Sequence, residues 1–163
     1  MGQVMLDQAF FILTFAGAIG SALVAGIFFA FSTFIMAALG RLPAEQGVAA
    51  MQSINITVIN PLFMLAFMGT GVLCLALLAG AYFRWDETAG KLILLGSVIY
   101  LVGCIGVTMV LNVPLNDALA VAQPGTPEAA TLWTRYLADW TFWNRVRTVA
   151  PLVAAGLFVW ALL

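Results

Sequence analysis

Three long stretches of this chain contain no charged residue. The uncharged stretches run over 8–40, 46–83 and 92–116. Each is longer than the roughly 20 residues that a helix needs to cross about 30 Å of hydrocarbon. Allowing for helix ends, the pattern predicts transmembrane helices at about 10–39, 61–83 and 92–112.

Asparagine and proline set two of these boundaries. In Asn60-Pro61, asparagine is a good N-cap and proline fits the first helical turn, so the second span is expected to begin there. Pro114 removes a backbone donor, so the third helix is expected to end near Asn112.

A fourth span is predicted at the C-terminal end of the chain. The stretch from Pro151 to Leu163 is too short to cross by itself, so the span must include preceding turns and is placed at about 140–162. Thr126, followed by proline and glutamate, is a strong helix start. The helix that it opens is expected to run unbroken into the fourth span, with 127–139 extending beyond the bilayer.

The segment 43–56 has the period of an amphipathic helix. Val48, Met51 and Ile54 share one face, and Glu45, Gln52 and Asn55 lie on the other. Such a helix either lies at the membrane interface or folds back over the bundle. The chain is therefore predicted to be one all-α integral membrane domain, 1–163: a four-transmembrane-helix bundle with helix four extended beyond the bilayer.

Composition narrows the chemistry. Of 163 residues, 64% are hydrophobic and 8% are charged, so the expected partner is the lipid bilayer. The net charge of −1 provides no basic surface, and we expect no nucleic acid. The chain has no histidine, which excludes histidine-based metal sites and most hydrolytic triads, and we expect no metal.

Small residues recur at four-residue spacing on helix one, at Gly17, Ser21 and Ala25. This spacing lets helix backbones approach closely. The ridge joins either two helices of one chain or two chains, so a homo-oligomer is an open alternative. Cys74 and Cys104 lack a second pair or a CxxC motif and are interpreted as small buried hydrophobic residues.

Polar residues at the predicted membrane boundary are the most informative, because they are costly there unless paired or used. They form three clusters, and the predicted connectivity places all three at the same membrane face. The clusters are Gln52, Asn55 and Asn60; Asn112, Asn116 and Asp117; and Trp140, Asn144 and Arg147.

Arg147 is the most informative of these polar residues. It shares a helical face with Trp140 and Asn144. Either Arg147 extends to lipid phosphate, or it points inward to pair with Asp117 or Asp139 or to bind an anionic oxygen. Arg145 points about 200° away on the same helix and is the better candidate for contact with lipid phosphate.

The chain resembles a known family: small four-helix membrane proteins that were grouped as a domain of unknown function and are now labelled anthrone oxygenase-like. The resemblance covers nearly the whole chain. It rests, in this order, on the strings GIFFAFSTFIMAAL, AMQSIN followed by NP, NVPLNDAL and WTFWNRVRT.

The resemblance implies an oxygenase that converts anthrones to anthraquinones with O2 and without cofactors. It implies a flat aromatic substrate and, for bacterial members, the inner (plasma) membrane. An anthrone has an acidic C–H, so such an enzyme needs a base, a cation for the oxyanion and an aromatic pocket. On this chain the resemblance implies Asp117 as the catalytic base, and it implies that Arg147, with Asn144 and Asn116, stabilises the enolate. Trp140 is expected to stack on the substrate rings. Asn55 and Asn112 are expected to complete the set of substrate-binding residues.

One departure from the family pattern bears on activity. Many members have histidine where this chain has Arg145. If that histidine is the base in active members, this chain uses another base or does not perform the reaction. The alternative is a non-catalytic module that binds a lipid or quinone-like ligand in the same cleft. A proton-coupled transporter is disfavoured, because no carboxylate lies in the central part of any predicted span.

Overall fold

The computed structural model describes residues 2–163, and side chains from residue 5 onward. Within this range the chain forms five helical rods, labelled α1 to α5, and no strand. The rods are α1 (2–39), α2 (Ala44–Thr57), α3 (61–82), α4 (88–120) and α5 (Pro127–Ala161). Three of the rods contain wider π-helical turns, at Phe31–Ile35 in α1, at Leu65–Gly69 in α3, and at Leu101–Gly106 and Thr108–Asn112 in α4.

Three of these rods are long and apolar enough to cross a membrane. Among the described residues they are Met5–Leu39, Pro61–Tyr82 and Thr88–Ala120. α5 is longer than α3, but it is not one of the three, and the polar residues Asn144, Arg145 and Arg147 lower the hydropathy of its middle. The described residues thus form an all-helical protein with three candidate membrane spans.

Two helix starts follow from their caps. Asn60 Oδ1 accepts a hydrogen bond of 3.1 Å from the amide of Phe63, and Thr126 Oγ1 accepts one of 3.2 Å from the amide of Ala129. Both residues lie in extended backbone directly before a proline. The predicted helix starts at Pro61 and Pro127 are confirmed, and each depends on the pairing of a capping side chain with a proline.

The expected end of the third span near Asn112 needs correction. The α4 rod continues through Pro114 to Ala120. Its π-helical turn at Thr108–Asn112 comes directly before the proline, so Pro114 falls in the first turn of the segment Val113–Ala120. A missing N–H costs little at that position, which explains why the proline does not end the rod.

The larger core lies where α5 packs against α1 and α4, with α3 beside them. Ser21 and Ala25 are buried in this core, and a Cβ at Gly17 would lie 3.1 Å from Leu77 of α3. The small-residue ridge therefore joins helices within one chain. Cys74 and Cys104 are free thiols with no exposed surface, as predicted.

The second core lies under α2, which folds back over one end of the bundle. Val48 and Met51 are buried against α5, with Trp133 among their neighbours. Gln52 fixes α2 to the end of α4, because its Nε2 donates hydrogen bonds of 2.8 Å to the Leu119 carbonyl and 2.9 Å to the Ala122 carbonyl. Of the two alternatives for segment 43–56, the structure has the helix that covers the bundle.

Candidate functional site

A cavity of about 360 Å³ lies beneath α2, at the end of the bundle where the polar clusters meet. This is within the size range of small-molecule sites. All five rods contribute to its wall, which is apolar except at four side chains. The lining residues are Ile27, Phe28, Phe31, Met51, Ile54, Asn55, Val58, Ile59, Phe63, Met64, Phe67, Met68, Thr108, Met109, Val113, Asn116, Trp140 and Arg147.

Arg147 supplies the only charge in this lining, and its side chain is only 4% exposed. Its guanidinium carbon lies 4.4 Å from the ring centroid of Phe28 and 4.9 Å from that of Trp140. Nη1 donates to Thr108 Oγ1 at 3.3 Å, and Nη2 donates to Asn144 Oδ1 at 2.9 Å. Contact with two aromatic faces and two neutral acceptors orients the cation without neutralising it.

No carboxylate pairs with Arg147 among residues 5–163. The nearest acidic candidate on its own helix, Asp139, pairs with Arg135 at 3.1 Å. The Nε atom of Arg147 is buried and has no hydrogen-bond partner in the part of the chain that the structure describes. A buried cation with an unused donor, at the wall of an apolar cavity, is the arrangement that favours an anionic oxygen as ligand.

Asn144 positions Arg147 and does not line the cavity. Its Nδ2 donates 2.8 Å to the Phe28 carbonyl of α1 and 2.7 Å to Ser32 Oγ. Ser32 in turn lies 3.0 Å from Thr148 Oγ1. With Oδ1 engaged by Arg147, the buried Asn144 amide has partners on both its ends, so it fixes the guanidinium relative to α1.

Asn116 joins the aromatic residues of α5 to the cavity. Its Oδ1 accepts hydrogen bonds of 2.8 Å from both the Tyr136 hydroxyl and Trp140 Nε1. Both bonds use the oxygen, so within the described structure Nδ2 is left to serve the cavity. Burial raises the pKa of Tyr136, which lies outside the predicted span, and the hydroxyl therefore stays a donor.

The remaining predicted binding residues contribute less directly. Asn55 lines the cavity, and its Nδ2 lies at a long 3.5 Å from the Tyr136 hydroxyl. Asn112 is fully buried behind the wall, where Nδ2 donates to the Trp140 carbonyl at 3.2 Å and Oδ1 has no partner. The predicted set thus converges, with Asn55, Asn116, Trp140 and Arg147 at the cavity and Asn112 and Asn144 behind it.

Asp117 is not part of this convergence. It is exposed at the end of α4 and is absent from the cavity lining. Pairing with Asp117 or Asp139, one of the alternatives for Arg147, is therefore wrong, and its hydrogen-bond partners are the neutral Thr108 and Asn144. Arg145 is exposed on the opposite side of α5, as its angular position predicts.

Several important residues of the site did not stand out in the sequence. Phe28 and Thr108 contact the guanidinium, yet each is an ordinary residue of an apolar helix. Four of the seven methionines line the cavity, from three different rods: Met51, Met64, Met68 and Met109. The closest sequence signal for these is the density of methionine and phenylalanine near the ends of the predicted spans.

A comparison with known families matches residues 63–157 to the anthrone oxygenase family. The chain belongs to the anthrone oxygenase family. The match covers more than half of the chain and includes every polar side chain at the cavity except Asn55. Neither curated proteins nor solved structures give a match. Membership of the anthrone oxygenase family and the three apolar helices together indicate a multi-pass membrane protein.

Proposed function

We propose that this protein is a membrane-embedded oxygenase that binds a flat, weakly acidic aromatic compound of the anthrone class and oxidises it with O2. The observation that carries the proposal is Arg147, a buried cation that has no counter-ion among the described side chains and lies at the wall of an apolar, aromatic cavity. A substrate that becomes an oxyanion would supply the missing charge. In an apolar site, that interaction is stronger than in bulk water.

The reaction needs no group beyond the substrate and O2. Loss of a proton from the CH2 carbon of an anthrone gives an enolate, whose oxygen would lie against Arg147 and the free amide of Asn116. The enolate passes one electron to O2, and superoxide combines with the carbon radical to form a peroxide. The peroxide takes up a proton, and loss of water leaves a ketone, so the sum is CH2 plus O2 giving C=O plus H2O.

The first proton has no carboxylate acceptor in the described lining. We infer that it passes to water, because Arg147 lowers the pKa of a substrate bound beside it and so reduces the need for a strong base. Asp117 lies outside the cavity and takes no part in this proposal. The Trp140 ring lines the cavity and stacks on Tyr136 with centroids 5.9 Å apart, which holds an aromatic ring beside the substrate.

We also propose that α5 supplies a fourth membrane crossing over about 140–161 and that 127–139 extends beyond the bilayer. α5 packs centrally against α1 and α4, both candidate spans, which supports a parallel path through the membrane. The exposed pair Arg135 and Asp139 then lies on the extension.

The test uses the purified full chain in lipid nanodiscs, supplied with an anthrone. O2 uptake and anthraquinone absorbance are followed together, with empty nanodiscs to measure uncatalysed oxidation. We expect O2 uptake and anthraquinone formation to be equimolar. The turnover rate should fall at least 100-fold in Arg147→Ala. Arg145→Ala, a change of the same type two residues away, should retain activity. Equal rates in wild type and Arg147→Ala would overturn the assignment.

A second candidate function is binding without catalysis, and the absence of a carboxylate or histidine from the described lining favours it. Such a module would hold a quinone-like or lipid ligand through the same Arg147. It would bind a hydroxyanthraquinone and consume no O2 with an anthrone. The two measurements on one nanodisc preparation separate the alternatives.

A further inference from the structure

The lining residues of the cavity that are most exposed at the protein surface are apolar. Three lining residues are also exposed on the outside of the protein, which places them at the mouth: Ile59 at 72%, Met68 at 42% and Met109 at 57%. Ile59 directly precedes α3, Met68 lies on α3 and Met109 on α4. The mouth therefore lies between the second and third membrane helices, whereas Arg147 is buried behind it.

The opposite approach to the cavity, from the side of α2, is covered. Gln52 fastens this helix to the end of α4 by two hydrogen bonds, and Val48 and Met51 are buried beneath it. The Tyr136 hydroxyl and Asn116 link the helices under this cover at 2.8 Å. A ligand arriving from the aqueous side would have to break these contacts.

The depth of the mouth places it among lipid chains. Met68 lies seven residues into α3, or about 10 Å along the helix from Pro61. Its outward neighbour Leu65 and the α4 residue Val110 are highly exposed apolar side chains. A rim of this kind, on a helix that crosses the membrane, faces hydrocarbon.

We propose that the substrate enters sideways from the bilayer, between α3 and α4 past Met68 and Met109, as a neutral lipid-dissolved compound that ionises only when it reaches Arg147. This proposal rests on the function proposed above and specifies its substrate class: a flat phenol or enol without a permanent charge. A carboxylate or sulfonate on the ring system prevents passage, because a fixed charge cannot cross hydrocarbon cheaply. The methionines at the mouth are flexible and accommodate different ring outlines.

The test measures binding and requires no oxidation. The probe is a hydroxyanthraquinone, whose visible absorbance shifts when its phenol ionises, mixed anaerobically with the full chain in nanodiscs by stopped flow. Met68→Trp and Met109→Trp narrow the mouth. Leu65→Trp and Val110→Trp are matched controls, exposed on the same helices but outside the cavity lining.

We expect each mouth variant to slow association about tenfold and each control to associate as wild type does. Met68→Ala and Met109→Ala widen the mouth and should speed association, which keeps the test valid if a tryptophan variant misfolds. The probe bearing a sulfonate should not bind.

Two results would overturn lateral access. One is wild-type association in both tryptophan variants, and the other is equal binding of the sulfonated probe. Faster association in Gln52→Ala, with the mouth variants unchanged, would place the path under α2 instead. Failure of the proposed function gives a different pattern, in which the probe binds with the expected mouth effects while an anthrone is not oxidised.

Discussion

The guanidinium carbon of Arg147 lies 4.4 Å from the ring centroid of Phe28, across the contact between α5 and α1. The ring of Trp140 is 4.9 Å from the same carbon, and the polar partners of the guanidinium are the neutral Thr108 and Asn144. A buried cation with only neutral partners lowers the stability of the folded protein. Its presence here therefore indicates a role in binding a ligand.

Arg147→Met should uncouple stability from binding. Methionine keeps most of the apolar stem and removes a charge that has no counter-ion in the described structure, so the melting temperature should equal or exceed that of wild type. The affinity for a hydroxyanthraquinone should fall at least about 100-fold, or about 2.7 kcal/mol. Arg145→Met, at an exposed position, should change neither quantity. A lower melting temperature with unchanged affinity would mean that Arg147 is purely structural.

Asn116→Asp should weaken ligand binding, and Asn116→Ala should lower the stability of the protein. Aspartate keeps the oxygen that accepts from Tyr136 and Trp140, so the melting temperature should stay near wild type, but its charge opposes an anionic ligand and should weaken hydroxyanthraquinone binding at least tenfold. Alanine leaves two donors without an acceptor and should cost about 1–3 kcal/mol of stability. Thermal melting and equilibrium titration on the same samples measure both effects. Equal affinity in Asn116→Asp and wild type would remove this residue from the binding site.

Asp117→Asn tests the base that the family resemblance suggested. The side chain is exposed at the end of α4 and does not line the cavity, so turnover of an anthrone should remain within about twofold of wild type. The anthrone oxidation assay in nanodiscs measures this directly. A fall in turnover of tenfold or more would show that Asp117 reaches the substrate. The side chain would then have to adopt a different conformation during turnover.

The sequence predicted the helices better than the site, and the reason is physical. Hydrophobic runs and caps such as Asn60 depend on neighbouring residues, so they can be recognised in one segment at a time. The exception was Pro114, where a local rule predicted a helix end and the preceding π-helical turn allowed the rod to continue. Wide turns of this kind have no simple sequence signal.

Side chains that reach across the bundle were only partly predictable. Arg147 and Asn144 were identified because polar groups are rare in apolar helices and their spacing put them on one face. Phe28 could not be identified in this way, since it is one of twelve phenylalanines and its role depends on how α1 packs against α5. Asp117 shows the converse error: proximity in sequence to Asn116 did not mean proximity to the cavity.

Gly47→Ala should weaken both the fold and the site, because α2 packs tightly against Trp133 of α5 at this glycine. A Cβ there would lie 2.8 Å from ring atoms of Trp133, closer than real contacts allow. The gain in helix propensity is outweighed, and unfolding should become easier by about 1–3 kcal/mol. Gly26→Ala is the matched control, since a Cβ at that position meets nothing within 4 Å, and it should instead stabilise by about 0.5–1 kcal/mol.

Gly47→Ala should also weaken ligand binding at the cavity. Trp133 stacks on Tyr136 with centroids 5.7 Å apart, and Tyr136 donates to Asn116, so displacement of the first ring disturbs the hydrogen bonds of the second. Hydroxyanthraquinone affinity should therefore fall severalfold in Gly47→Ala and stay unchanged in Gly26→Ala. Lower stability with full affinity would mean that α2 shifts as a rigid cover without moving the Trp133–Tyr136 stack, and that the aromatic residues of α5 are held by α4 alone.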